Sequence, residues 1–458
     1  MEDKFSILRE KYLKFIYNSY EIKENINNIE IKYEFEIPGL AKFEPKTIIS
    51  KKNINFKSVN NDYINYIAFN LGMVELISYW KCVCPKNVIV KCGYLDEFQI
   101  QWFKKLYYYG LGEYRYINNI SITLEEMMNI VVEAEKKDIR VPHINTKGTI
   151  IPVGGGKDST VTLELLKKYK DDNYCLIIGS KEPSMKCAEI AGYENNKIIE
   201  VSRIIDENIK KLNKEGYLNG HTPFSSMLAF LSYLIATLTE KKYIALSNES
   251  SANESNIEGE NVNHQYSKSY EFEQDFNEYV KKYFSEDVKY FSMLRPINEL
   301  QIAMLFSRNE KYHSIFRSCN VGSKEVPWKW CCNCPKCLFV YCILSPFLYA
   351  EKLINIFGED MFESKDLLET FIELCGYGKN KPFECVGTYE EINFAISKTI
   401  VKLENENKQL PYMLKYYKDN YKLVDVNNNI LINQYNEENN LPKDFADILR
   451  NRIKEESC

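Results

Sequence analysis

The stretch TIIPVGGGKDSTVTLELLKKY, residues 149–169, constrains the fold of this chain more than any other. TIIPV (149–153) reads as a short strand, and residues 159–169 read as a helix that turns Val161, Leu163, Leu165 and Leu166 inward. Gly154, Gly155 and Gly156 stand between them and form a tight strand-to-helix turn. The alternation then continues. YCLIIG (174–179) and KIIEVS (197–202) read as strands, a helix follows at about 224–240, and YIALSN (243–248) is another strand. Strands alternating with helices predict an α/β fold with a doubly wound parallel sheet covered on both faces. In such sheets ligands bind beyond the carboxyl ends of the strands. The glycine loop, His221 and the NESSANESN loop (248–256) all fall at such ends or just before the next element.

At 458 residues and 45% hydrophobic, the chain can bury a large core and divides into two or three domains. Residues 1–147 predict an N-terminal α+β domain: IKYEFEIPG alternates as a strand does, and INYIAFNLGMVELISYWK reads as a buried helix. The aromatic run LDEFQIQWFKKLYYYGLGEYRYINNI reads first as core packing and second as a surface that closes over a substrate. Residues 148–325 hold the α/β unit. Residues 326–458 form a Cys-rich segment and a helical C-terminal region, whose polar tail NNNILINQYNEENNLPKD predicts partly loose order. The net charge of -5 and the lack of a long basic run argue against a nucleic-acid partner. MEDKFSILREKYLKF has no apolar signal core, and MLAFLSYLIATL is too short to span a bilayer. The expectation is a soluble, cytoplasmic protein without a membrane partner, its fourteen cysteines reduced.

A Walker loop needs its hydroxyl directly after the lysine, but here Asp158 intervenes. A dinucleotide fingerprint fails too, because Lys157, Asp158 and Ser159 fill the positions of its later glycines. What remains is a glycine nest at a helix N-terminus, where backbone N–H groups and the helix dipole favour an anion. Lys157 adds a charge and Ser159 a hydrogen bond. Asp158 would repel a bare phosphate, so it makes sense beside Mg²⁺ or as an N-terminal cap. Gly-Gly-Gly-Lys-Asp-Ser resembles the S-G-G-x-D-S signature of the PP-loop ATP pyrophosphatases, a HUP-like group, with Gly154 where serine is usual. LRPINELQIAMLF (294–306) resembles the segment near the end of many PP-loop domains.

Further motifs narrow the resemblance. NGHTPFSS (219–226), SNESSANESN, VNHQYSKSYEFE (262–273), CPKCLFV and KPFECVG, taken with GGGKDS, look like the MurL-type UDP-N-acetylmuramoyl-L-alanyl-L-glutamate epimerases. LGMVELISYWK, LDEFQIQW and GLGEYRYINNI resemble the same family, so the likeness covers roughly residues 65–395. It implies ATP-dependent inversion of the terminal L-glutamate of UDP-MurNAc-L-Ala-L-Glu through an acyl-adenylate, for peptidoglycan precursor synthesis. A PP-loop tRNA thiolase or ATP-dependent ligase is the alternative.

Under that resemblance Gly154, Gly155, Gly156, Lys157, Asp158 and Ser159 contact pyrophosphate and Mg²⁺, with Glu249 and Glu254 as further metal ligands. His264 and His221, two of only four histidines, are the leading proton-transfer candidates. Tyr266 and Lys268 orient or donate, and Lys268 or Arg295 holds a phosphate or carboxylate. Glu384 and Cys385 form a two-base alternative. Cys331, Cys334 and Cys337 have C-x-x-C-x-x-C spacing, which suits structural Zn²⁺ if Cys319, Cys342 or His313 completes the set. Buried small hydrophobes are the competing reading.

Overall fold

The computed structural model describes residues 4–52, 54–144, 146–179, 182–253, 266–319, 321–322, 328–379, 381–382, 384, 386–427 and 430–457. The first half contributes β1 (Lys14–Glu24), β2 (Asn28–Ile37), β3 (Ala41–Phe43), β4 (Lys46–Ser50), β5 (Asn87–Val90) and β6 (Asn129–Val132). Then come β7 (Thr149–Pro152), β8 (Tyr174–Ile178), β9 (Ile198–Ile204), β10 (Tyr243–Leu246) and β11 (Lys289–Ser292). All belong to one sheet.

The second group lies in the order β11-β10-β7-β8-β9, and every neighbouring pair is parallel. β7 is central and its four side chains are all buried, as a strand covered by helices on both faces requires. Successive residues face opposite cores: Ile150 packs with Leu176 and Ile199, whereas Ile151 packs with Cys175 and Ile177. The chain winds outward from β7 through β8 and β9, then returns to the other side of β7 for β10 and β11. The winding therefore reverses between β7 and β10. Loops leaving those two strands part there, the position at which sheets of this kind bind ligands.

The sheet does not stop at residue 147. β9 pairs antiparallel with β4, and beyond it lie β2, β1, β5 and β6. β2 alternates as its sequence predicts, with Ile29, Ile31, Tyr33, Phe35 and Ile37 buried. The helix Asp62–Trp80 lies over these strands, started by the Asn61 side chain accepting from the Ile64 amide. Gly72 lets it approach β1, because a Cβ there would run into the Tyr17 ring. Its far side meets the helix Phe224–Leu238, where Tyr63 and Tyr233 share a hydroxyl hydrogen bond of 2.9 Å. The aromatic run lies mostly in this core, with Trp102, Phe103, Tyr107 and Tyr114 buried.

Beyond β11, the helix Glu299–Ser307 is buried throughout and forms the floor on which the C-terminal helices pack. The polar tail is better held than its composition suggests. Asn298 Nδ2 donates to the Leu431 carbonyl (2.7 Å), and Gln301 Nε2 donates to those of Ile432 (2.9 Å) and Gln434 (2.8 Å). Among the described residues, no helix is long and apolar enough to cross a membrane.

Candidate active site

The glycine loop follows β7 at the switch point of the sheet, and its three glycines meet three different demands. A Cβ on Gly154 would face open space. Gly155 has a φ of 81°, and a Cβ there would sit 2.8 Å from the Ser184 amide nitrogen. A Cβ on Gly156 would come within 3.3 Å of Ser318 Cβ. The loop is thus wedged between the start of the helix Glu182–Ile190 and the segment 317–319, where the Arg317 amide donates to the Gly155 carbonyl (2.8 Å). Three polar atoms bordering this wedge are buried and unpartnered among the described residues: Ser184 Oγ, Ser318 Oγ and Arg317 Nε. Unmet donors around an open glycine nest suit an anion with several oxygens. The helix that follows starts at Lys157, two residues before the expected Ser159, because Gly156 is still extended and caps it.

Lys157 turns inward and is 1% exposed, its ammonium paired with Asp158 Oδ1 and Glu299 Oε2. Burial alone would push its pKa down, but the two carboxylates hold it above the ordinary lysine value. Burial pushes the Glu299 carboxyl up to about 7; Lys157 opposes the rise, while Asp158 and Glu249 add to it. Glu249, just past β10, is raised by burial and by Asp158, with Lys268, Lys157 and Lys336 opposing. Glu391 is raised by burial and by the charge on Glu299. Glu391 is also a joint between segments. Its Oε1 accepts from the Glu299 amide (2.6 Å) and Ser251 Oγ (2.8 Å), and its Oε2 accepts from the Thr388 amide (2.5 Å). Gly387 packs against it, and a Cβ there would lie 2.8 Å from Glu391 Oε2.

Five separate sequence motifs therefore meet at the switch point of the sheet. GGGKDS brings Lys157 and Asp158, SNESS brings Glu249 and Ser251, LRPINELQ brings Glu299, CPKC brings Lys336, and the segment after KPFECV brings Gly387 and Glu391. Asp158, Glu249 and Glu299 offer carboxylate oxygens of the kind Mg²⁺ takes. The Lys157 ammonium stands between two of them, Asp158 and Glu299.

The structure gives the other expected residues different situations. Arg295 is fully buried, and its guanidinium is occupied by the carbonyls of Glu249 (2.7 Å) and Lys268 (2.5 Å) and by Glu273 (3.4 Å). It braces the wall that presents Glu249. Tyr266 Oη donates to Asp275 (2.7 Å), and its ring packs beside Tyr109 and Phe272. Lys268 is half-buried, and its charge acts on Glu249. His221 is exposed in the loop ahead of the helix Phe224–Leu238, next to Gly220, whose carbonyl takes the Lys81 ammonium. His264, Glu254 and Cys385 lie outside the described residues. Of the three candidates to join Cys331, Cys334 and Cys337, the structure brings in Cys319. His313 instead places Nε2 3.3 Å from the Phe306 carbonyl.

Sequence reading missed Glu299, Glu391 and Lys336. Glu299 lay inside a quoted motif, but Asn298 and Gln301 form a capping box around it. Glu391 is itself the fourth residue of the capping box opened by Thr388, so local helix chemistry explained it without a site.

A family model described as the MurL N-terminal domain matches residues 7–293, and one described as the MurL C-terminal domain matches residues 315–424. The chain belongs to the MurL family. A MurL relative from Xanthomonas oryzae pv. oryzae, a UDP-N-acetyl-alpha-D-muramoyl-L-alanyl-L-glutamate epimerase, is 32% identical over 335 residues, 71% of this chain and 73% of its own. Enzymes of the same name from Micromonospora sp. and Salinispora tropica are each 31% identical over 71% of this chain, covering 73% and 71% of theirs. The two MurL segments share the site: Lys157, Asp158 and Glu249 come from the N-terminal one, and Lys336 and Glu391 from the C-terminal one. Glu299 lies between them.

Proposed function

We propose that this enzyme inverts the terminal L-glutamate of UDP-MurNAc-L-Ala-L-Glu, the reaction for which its relatives are named, and that it uses ATP to do so. The observation that carries the ATP half is the wedge around Gly155, with its unpartnered hydroxyls, adjoining the Lys157–Asp158–Glu299 cluster. A Cα–H beside an ionised carboxylate resists removal, because the carbanion would form next to negative charge. In the proposed sequence the carboxylate oxygen attacks the α-phosphorus of ATP, and the bond to pyrophosphate breaks. The resulting acyl-adenylate has a carbonyl that accepts the electron pair when a base removes the Cα proton. An acid then returns a proton to the opposite face. Water attacks the acyl carbon, AMP leaves, and the free carboxylate re-forms on D-glutamate.

Within this scheme the glycine loop, Ser159, Ser184 and Ser318 hold the pyrophosphate, and Lys157 neutralises charge on the leaving group. Asp158, Glu249 and Glu299 would hold Mg²⁺, which supplies charge neutralisation on the phosphates. His264 and His221 remain the proposed proton carriers, with Lys268 near Glu249 and Cys385 as the other groups able to serve.

The deciding experiment measures pyrophosphate release from Mg²⁺-ATP with and without UDP-MurNAc-L-Ala-L-Glu, then the chirality of the glutamate. Substrate-dependent release with D-glutamate is expected. Release that depends on tRNA instead, without inversion, would replace this reading with the thiolase one. Gly155→Ala tests the loop separately. A residue with a Cβ at this φ costs about 1–2 kcal/mol in backbone strain, before the contact with Ser184 is counted. ATP affinity by calorimetry is expected to fall about tenfold or more, equivalent to at least about 1.4 kcal/mol. An unchanged affinity would move the nucleotide elsewhere.

A further inference from the structure

Cys319, Cys331, Cys334 and Cys337 place their sulfurs within 4.8 Å of one another, and all four are free thiols. We propose that these four cysteines bind one tetrahedral Zn²⁺ ion, and that this ion pins the segment 317–319 against the glycine loop and Lys336 beside the acid cluster. Zn–S bonds of about 2.3 Å set the sulfurs of a tetrahedron about 3.8 Å apart. Here Cys331 Sγ and Cys337 Sγ are separated by 3.7 Å, and Cys334 Sγ and Cys337 Sγ by 3.5 Å. A four-iron cluster would place each thiolate on a different iron and spread the sulfurs further, so the spacing favours a single ion. Four thiolates are also a soft donor set, suited to zinc and not to the hard cation proposed for the carboxylates.

The backbone around the sulfurs is shaped to turn them together. Cys332 adopts a φ of 51° and sends its own sulfur the other way, to the Phe357 carbonyl (3.2 Å). Pro335 opens the helix Pro335–Leu344 directly after Cys334, which bends the chain between two ligands. The Gly322 amide donates to Cys319 Sγ (3.1 Å), the kind of outer hydrogen bond that orients a metal ligand. Only glycine fits there, because a Cβ would run into the Lys329 carbonyl oxygen. Buried cysteines acting as small hydrophobes need none of this.

The position gives the ion a task. Cys319 is two residues from Arg317, whose amide holds the Gly155 carbonyl, and Lys336 sits between ligands Cys334 and Cys337 with its charge acting on Glu249 and Glu299. The ion is thus a positioning element for the site; that second part rests on the nucleotide reading, whereas the metal itself does not.

The test uses the full chain purified without chelator or added metal. About one zinc per chain is expected by elemental analysis, and Cys334→Ser and Cys319→Ser are expected to lose it, while Cys332→Ser and Cys342→Ala keep it. Replacing zinc with Co²⁺ in the wild-type protein should give the absorption bands of a tetrahedral thiolate site. A metal content near zero without such bands, or equal loss from Cys332→Ser, would overturn the site. For the clamp, hydrogen exchange at the Arg317 amide is expected to quicken at least tenfold when zinc is stripped and to recover when it is returned. Unchanged exchange would leave a metal site with no hold on the loop. Neither readout uses ATP, so failure of the nucleotide reading would show separately, as absent pyrophosphate release from fully zinc-loaded protein.

Discussion

Lys157→Met is expected to lower substrate-dependent pyrophosphate release by about a thousandfold, the scale on which a positioned cation acts on developing charge in a closed site. The same substitution strands Asp158 and Glu299, and breaking a buried pair costs about 3–5 kcal/mol. That cost will be cut, because the buried Glu299 carboxyl, already up at about 7 with the lysine present, will rise further and take a proton. The pH sign follows. A carboxyl whose folded pKa lies above its unfolded value contributes stability below the unfolded value and loses it as pH rises through the folded one. The variant should therefore melt lower at pH 8 than at pH 6, and by a wider margin than the wild-type protein. Adding Glu299→Gln removes the buried charge and should restore most of the stability and flatten that pH dependence, without restoring turnover. Melting curves at the two pH values, with pyrophosphate assays on the double variant and on Glu299→Gln alone, separate the roles. Turnover regained by the double variant would make Lys157 a partner for Glu299 and nothing more.

That pair also shows what sequence can and cannot reveal here. The strands β7, β8, β9 and β10 were legible because each is an apolar run too short for a helix and ends in glycine or polar residues. The antiparallel seam of β4 with β9 was not, since Lys46 and Ile204 are partners that no local pattern announces. The glycine loop was readable for a related reason: backbone demands at Gly155 leave a mark on residue type. The acids opposite it leave no such mark. Glu299 and Glu391 occupy helix-start positions where glutamate is favoured anyway, and only the fold brings them to within bonding reach of each other's segments. Arg295 illustrates the converse, a motif residue for which the fold supplies protein partners. An arginine in a motif invites a ligand, but this one is buried and its guanidinium already holds two carbonyls and a carboxylate. The polar tail read as loose because its asparagines lack an apolar pattern, although the carbonyls of its backbone are what Asn298 and Gln301 bind.

The second large effect falls on the other half of the reaction. His264→Ala is expected to leave substrate-dependent pyrophosphate release within about threefold of wild type and to cut D-glutamate formation by about 10²–10⁴, the usual contribution of a positioned acid or base. The separation follows from the chemistry: adenylation needs the charge around Lys157, whereas inversion needs a group that exchanges a proton near neutral pH, as imidazole does. Run in ²H₂O, the wild-type enzyme should place one deuterium at Cα of the D-glutamate. The variant should release pyrophosphate and return L-glutamate, with deuterium at Cα only if the first proton transfer survives. Deuterated L-glutamate would assign His264 to the second face, as the acid; undeuterated L-glutamate would assign it to the first, as the base. Inversion at a near-wild-type rate would pass the role to another carrier. The same split would then be sought in His221→Ala and Cys385→Ala, because a true proton carrier must show it, whereas a residue that only binds substrate lowers pyrophosphate release and inversion together.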